Sequence, residues 1–250
     1  MEVGPTEQGE LHGQLDRIES AVDHGETDLR ALGFWRLVAA VKRDRLLVIE
    51  HADQIGRIDT KAFRAAVRRR VPVWLGNLVL VTGLVVGVAA VVVAFVWVTP
   101  WWKGLAIVAA GLIWSVAVHS PTHWLVGTMV GIGWTDYFLG GPPPPRPGLK
   151  SDYATYLRAD PMSRAWMHAS GAIATKLAPF AALAFWPASN APGWAGVVLL
   201  AVGLVQIVTD VALSTKSSDW KKFSRERAIA RARPQGSGSA PVDRADGRGR

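Results

Sequence analysis

Residues 71–98, VPVWLGNLVLVTGLVVGVAAVVVAFVWV, decide the fold. They include no charged side chain, and Asn77 is the only strongly polar one. About 20 apolar residues cross the hydrocarbon core of a bilayer, so this stretch is long enough to cross with some tilt. It follows seventy residues rich in charge, too far along the chain for a signal peptide. The chain is therefore expected to be an integral membrane protein.

Reading outward toward the C-terminus, TPWWK (99–103) suits an interfacial belt, with two tryptophans and a lysine beside a proline. Three further spans are expected at about 104–126, 163–186 and 194–213. Apolar character after Gly104 persists to Leu139, a helical length of ~54 Å, too long for one crossing. Pro121 and the glycines at 127, 131 and 133 offer places to bend, so a crossing followed by an interfacial or re-entrant segment is expected. GGPPPPRPGLK (140–150) reads as a loop, 151–162 as a short surface helix starting near Asp152, and PASNAPG (187–193) as a turn.

Toward the N-terminus, residues 1–30 are polar and acidic, without periodicity, and are expected to be poorly ordered. Residues 31–70 read as cytoplasmic amphipathic helices, broken at Gly56 and restarted with Asp59 or Thr60 as N-cap. Residues 216–250 form a basic cytoplasmic tail, helical in its middle and disordered from about 234. The expected fold is all-α: a polytopic membrane bundle of about four transmembrane helices with N-terminal amphipathic helices.

Arg68, Arg69 and Arg70 precede the first span, the following loop carries only Lys103, and the next carries Arg146, Lys150, Arg158 and Arg164. The turn at 187–193 has no positive charge, and the tail has many. This alternation predicts four crossings with both termini in the cytoplasm. The Ala/Val/Gly/Arg-rich composition points to a bacterial inner membrane. The net charge of +8 follows from these flanks rather than from nucleic-acid binding. With no cysteine in the chain, disulfides, thiolate metal sites and cysteine nucleophiles are excluded. Expected partners are the lipid bilayer, a transmembrane or lipid-linked substrate, and a protein partner contacting 31–70 and 216–233.

Ionisable groups at membrane depth are costly and mark functional or tightly paired positions. Here they are His119, His123, His168, Lys176 and Asp210. In HSPTHW (119–124) the two histidines stand four apart, on one helical face, where two imidazoles can hold one metal ion. From the expected span ends, His119, His168 and Asp210 fall at one depth, about 5 Å inside the cytoplasmic boundary. The candidate metal ligands are therefore His119, His123, Asp210 and His168. The structural alternatives are hydrogen bonding of the histidines to Asp210 or backbone, a Lys176–Asp210 salt bridge, and Asp219 capping or pairing within the basic tail.

This layout resembles the site-2-protease-like intramembrane zinc metalloproteases, which carry HExxH on one transmembrane helix and an aspartate near a later helix end. His119 and His123 match the two histidine ligands, Asp210 the distal aspartate, and HASGAIATKL (168–177) echoes the small-residue segment between them. The resemblance covers about residues 104–220 and implies a zinc cofactor and peptidase-like chemistry. Where the family has its general-base glutamate, this chain has Ser120. Hydrolysis would then need another base, Asp136 or His168. Two other functions stay open: a non-enzymatic scaffold whose intramembrane polar groups join helices, and a small transporter using His119, Asp210 and Lys176 as an ion relay.

Overall fold

The computed structural model describes residues 5–140, 146–212 and 218–232. The expectations for residues 1–4, for the proline run at 141–145 and for the tail from 234 lie outside the described residues. The rest is a bundle of long apolar helices with a helical subdomain and a small sheet gathered at one end.

The subdomain holds α1 (Pro5–Asp23), α2 (Phe34–Val41) and α3 (Arg45–Ala66). The N-terminal region, expected to lack order, forms α1 instead. Its Leu15, Ile18 and Val22 recur at helical spacing and are buried against Phe34, Val38, Val41, Leu47, Ile55 and Ile58. Asp44 caps α3 by accepting from the backbone N–H of Leu46 and Leu47. The expected break at Gly56 and new cap at Asp59 do not occur, for α3 runs straight through both. Gly56 is needed for close approach: a Cβ there would lie 2.8 Å from the Cβ of Ala154. Asp59 is buried and ion-paired with Lys150. The apolar faces of residues 31–66 are thus largely consumed in a core of their own.

The chain then forms β1 (Arg70–Pro72) and α4 (Val73–Val96), followed by α5 (Pro100–Ala117), α6 (His119–Met129), β2 (Trp134–Gly140), β3 (Arg146–Ser151) and α7 (Tyr153–Arg158). Among the described residues there follow α8 (Pro161–Ser189), α9 (Gly193–Ala212) and α10 (Asp219–Ala232). Among the described residues, four helices, α4, α5, α8 and α9, are long and apolar enough to cross a membrane. Leu78, Val79, Val85, Leu204, Val205 and Val208 are each more than half exposed, as side chains facing lipid rather than water would be.

The structure adds a β component to the expected all-α bundle. The strands form a three-stranded antiparallel sheet in the order β1-β2-β3, with Arg70 opposite Phe138, Pro72 opposite Asp136, and Asp136 opposite Lys150. Residues 134–140, expected to continue an apolar interfacial segment, become a strand because the helix ends at a glycine turn. Gly131 sits at φ 81°, a conformation costly for other residues. The sheet lies over the start of α4. The Tyr137 hydroxyl donates to Asn77 Oδ1 at 2.9 Å, which accounts for the one strongly polar side chain of α4.

Pro121 lacks the N–H that would bond the carbonyl of Ala117, and the helix bends at Val118, between α5 and α6. At the far end of the bundle, Lys103 Nζ donates to the Ser189 carbonyl at 3.1 Å and the Trp101 and Trp194 rings meet at 5.0 Å.

Candidate metal centre

The bend at Val118 puts His119 and His123 on successive turns of α6, facing α8 and α10. Their rings meet edge to face at 4.7 Å. Nε2 of His119 lies 3.4 Å, and Nε2 of His123 3.3 Å, from one oxygen of Asp219, Oδ2. The three ligand atoms lie within 4.8 Å of one another, and all three residues are half-buried.

Hydrogen bonds on the far side of each ring set the tautomers. His123 Nδ1 is 2.6 Å from the Met167 carbonyl, which can only accept, so Nδ1 carries the proton. His119 Nδ1 is 3.0 Å from Thr175 Oγ1. That hydroxyl donates its own hydrogen to the Gly171 carbonyl at 2.9 Å, so it accepts from His119. In neutral imidazoles both Nε2 atoms are therefore lone pairs, aimed at a carboxylate oxygen. Three acceptors converging in this way repel one another unless a cation joins them.

The dimensions suit a metal ion. A tetrahedral ion with bonds of ~2.0–2.1 Å sets its donors ~3.3–3.4 Å apart, the separation found here between each Nε2 and Oδ2. Two imidazoles and one carboxylate leave a fourth position open. His119 is the ligand facing outward, its side chain 39% exposed against 12% for His123.

Gly171 on α8 makes room for the cluster. A Cβ there would lie 2.3 Å from Nε2 of His123. The small-residue segment 168–177 thus supplies a gap at Gly171, a carbonyl at position 171 and a hydroxyl at Thr175.

Asp219 is delivered by α10. Its other oxygen, Oδ1, accepts from Lys222 Nζ at 3.2 Å. Without a metal, burial works to raise the Asp219 carboxyl, but a protonated His123 donating from Nε2, through its hydrogen bond and charge and with Lys222 and protonated His119, holds it well below the ordinary carboxylate range. Two turns further along, Glu226 is buried and anchors the helix. It pairs with Lys42, accepts from Arg164 Nε at 2.7 Å and accepts from the Tyr156 hydroxyl at 2.9 Å. Arg164 is itself fully buried and also donates to the carbonyls of Leu157 and Ala159.

The other expected site residues sit elsewhere. Asp210, near the end of α9, pairs with Lys176 at 2.6 Å and accepts from the Trp220 indole. His168 is 3.0 Å from the Tyr156 hydroxyl, whose own hydrogen goes to Glu226. Ser120 is half-buried and makes no side-chain hydrogen bond among the described residues. Asp136 lies on β2, in register with Pro72 and Lys150. Sequence reading had placed Asp219 within the tail. The sequence shows only that Asp219 stands seven residues before Glu226, on one face of a helix; that Glu226 anchors this helix through Arg164 and Lys42 is visible in the structure alone.

No protein-family model, curated protein or solved structure matches this chain.

Proposed function

We propose that the protein is a metalloprotein of the bacterial inner membrane, with both termini in the cytoplasm, in which His119, His123 and Asp219 hold one divalent ion. The observation that carries this reading is the convergence of two Nε2 lone pairs, their tautomers fixed from behind in the neutral rings, on one carboxylate oxygen. Two nitrogens and one oxygen, without sulfur, suit zinc among the available ions. The helix-borne histidine pair, a distal aspartate and the glycine-containing helix beside them keep the resemblance to intramembrane zinc metalloproteases, with Asp219 in the aspartate's place. Bound zinc would supply Lewis-acid polarisation of a substrate carbonyl or of water at the open position.

The chain's own contribution is to orient the ligands and exclude water. Met167 and Thr175 hold the imidazoles, Lys222 holds the carboxylate, and α8 and α10 cover His123. Peptidase-like hydrolysis of a transmembrane or lipid-linked substrate is the activity this arrangement would support, with a base other than residue 120. Metal content of the detergent-purified protein tests the reading. About one zinc per chain, lost in Asp219→Ala and kept in Asp210→Ala, supports it. No metal in the wild-type protein, purified without chelator and supplied with zinc, removes it.

A second reading rests on the same oxygen. If a proton instead of a metal joins His123 to Asp219, the cluster is a salt bridge that docks α10. The Glu226–Arg164–Lys42 network, which docks the same helix, favours a scaffold built this way.

A further inference from the structure

Between α2 and α10, beside the start of α8, lies a cavity of about 950 Å³, within the size range of ligand sites. Four cationic side chains line it, Lys42, Arg43, Lys222 and Arg225, against the single carboxylate of Glu226. Glu226 is already matched by Lys42 and Arg164. Arg43 and Arg225 are exposed and, among the described residues, make neither an ion pair nor a side-chain hydrogen bond. The cavity therefore presents unneutralised positive charge at its rim, while Trp35, Ala39 and Ile229 give it an apolar wall.

His168, near the start of α8, also lines it. His168 is seven residues into α8, about 10 Å along a helix long and apolar enough to cross a membrane. Trp166 on the same helix is 54% exposed and packs edge-on against Phe223 of α10. Exposed tryptophans at this position mark the headgroup layer, which adds roughly 5–8 Å to each side of the hydrocarbon core.

We infer that this cavity binds the headgroup of an anionic phospholipid from the surrounding bilayer, its phosphate held by Arg43 and Arg225 and its acyl root laid along Trp35, Ala39 and Ile229. The bilayer is the source because the cavity opens at headgroup depth and joins positive charge to apolar surface, the two features such a lipid presents together. The site depends on the membrane reading and is independent of the metal.

The full chain in nanodiscs of phosphatidylcholine with phosphatidylglycerol tests this, with bound lipid counted by native mass spectrometry. Wild-type protein should retain phosphatidylglycerol in preference to phosphatidylcholine. Arg43→Ala with Arg225→Ala should weaken that retention roughly thirtyfold, and added salt should weaken the wild type in the same direction. Ala228→Glu, at an exposed position, should do likewise with unchanged thermal unfolding. Equal retention in wild type and both variants would overturn the inference. So would inorganic phosphate displacing phosphatidylglycerol from the wild type at low concentration, which would make the site one for soluble phosphate compounds.

Discussion

Glu226 follows Asp219 by two turns of α10, and the pair divides the work of that helix: Asp219 Oδ2 meets His119 and His123, while Glu226 is buried between Arg164 and Lys42. The candidate ligand Asp219 is thereby positioned by an ion-pair network it does not touch. Removing one partner of a buried pair leaves a charge without compensation and costs about 3–5 kcal/mol. Glu226→Gln is expected to lower stability by roughly that amount and to weaken zinc affinity. Asp219→Asn is expected to abolish zinc binding with a smaller loss of stability. Denaturant unfolding and zinc titration, done on both variants, separate the two effects.

Gly171 carries a sharper steric prediction. An alanine methyl there overlaps the His123 imidazole, and overpacking of this kind costs typically 1–3 kcal/mol. Gly171→Ala should displace His123 and reduce zinc affinity at least tenfold. Gly193→Ala, where nothing lies within 4 Å, should leave it unchanged. Competition with a chromophoric chelator measures both.

Acid should loosen α10. Burial works to raise the Glu226 carboxyl, but Lys42, Arg164 and the Tyr156 hydroxyl outweigh it and lower the group from its ordinary value of 4.5. A carboxyl lowered on folding contributes stability that is fully present above the unfolded value and is lost as pH falls through the lower folded value. Stability of the metal-free protein should therefore hold down to about pH 4.5 and decline below it. In Glu226→Gln this part of the decline should be absent. Thermal unfolding across that range checks it.

Asp210 and Ser120 serve as contrasts. Asp210→Asn disrupts the contact with Lys176, so a loss of roughly 1–3 kcal/mol is expected with zinc stoichiometry unchanged. Ser120→Ala should alter neither stability, beyond about 0.5 kcal/mol, nor metal content.

Much of the fold was legible because apolar run length is a strong signal: the uncharged stretch at 71–98 contains α4. The sheet was not, since β1 is three residues long and takes its partners, Asp136 to Phe138, from beyond three intervening helices, a pairing no local period encodes. Gly56 misled for a related reason. A glycine that ends a helix and one that admits a neighbour look alike until Ala154 is in place. At the candidate centre, the HSPTHW spacing pointed to a shared face. Depth along straight helices pointed to Asp210, whereas α10 returns Asp219 to the bundle after the last span. The Lys176–Asp210 pair could be written from charge alone, and the return of α10 depends on Arg164, whose burial no sequence window shows.

Zinc-edge X-ray absorption on the purified, zinc-loaded protein tests the central claim most directly. The account predicts a four-coordinate spectrum with scattering from two imidazoles at ~2.0–2.1 Å, one imidazole remaining in His123→Ala. A spectrum of oxygen neighbours without imidazole scattering, or one unchanged by His123→Ala, would contradict it.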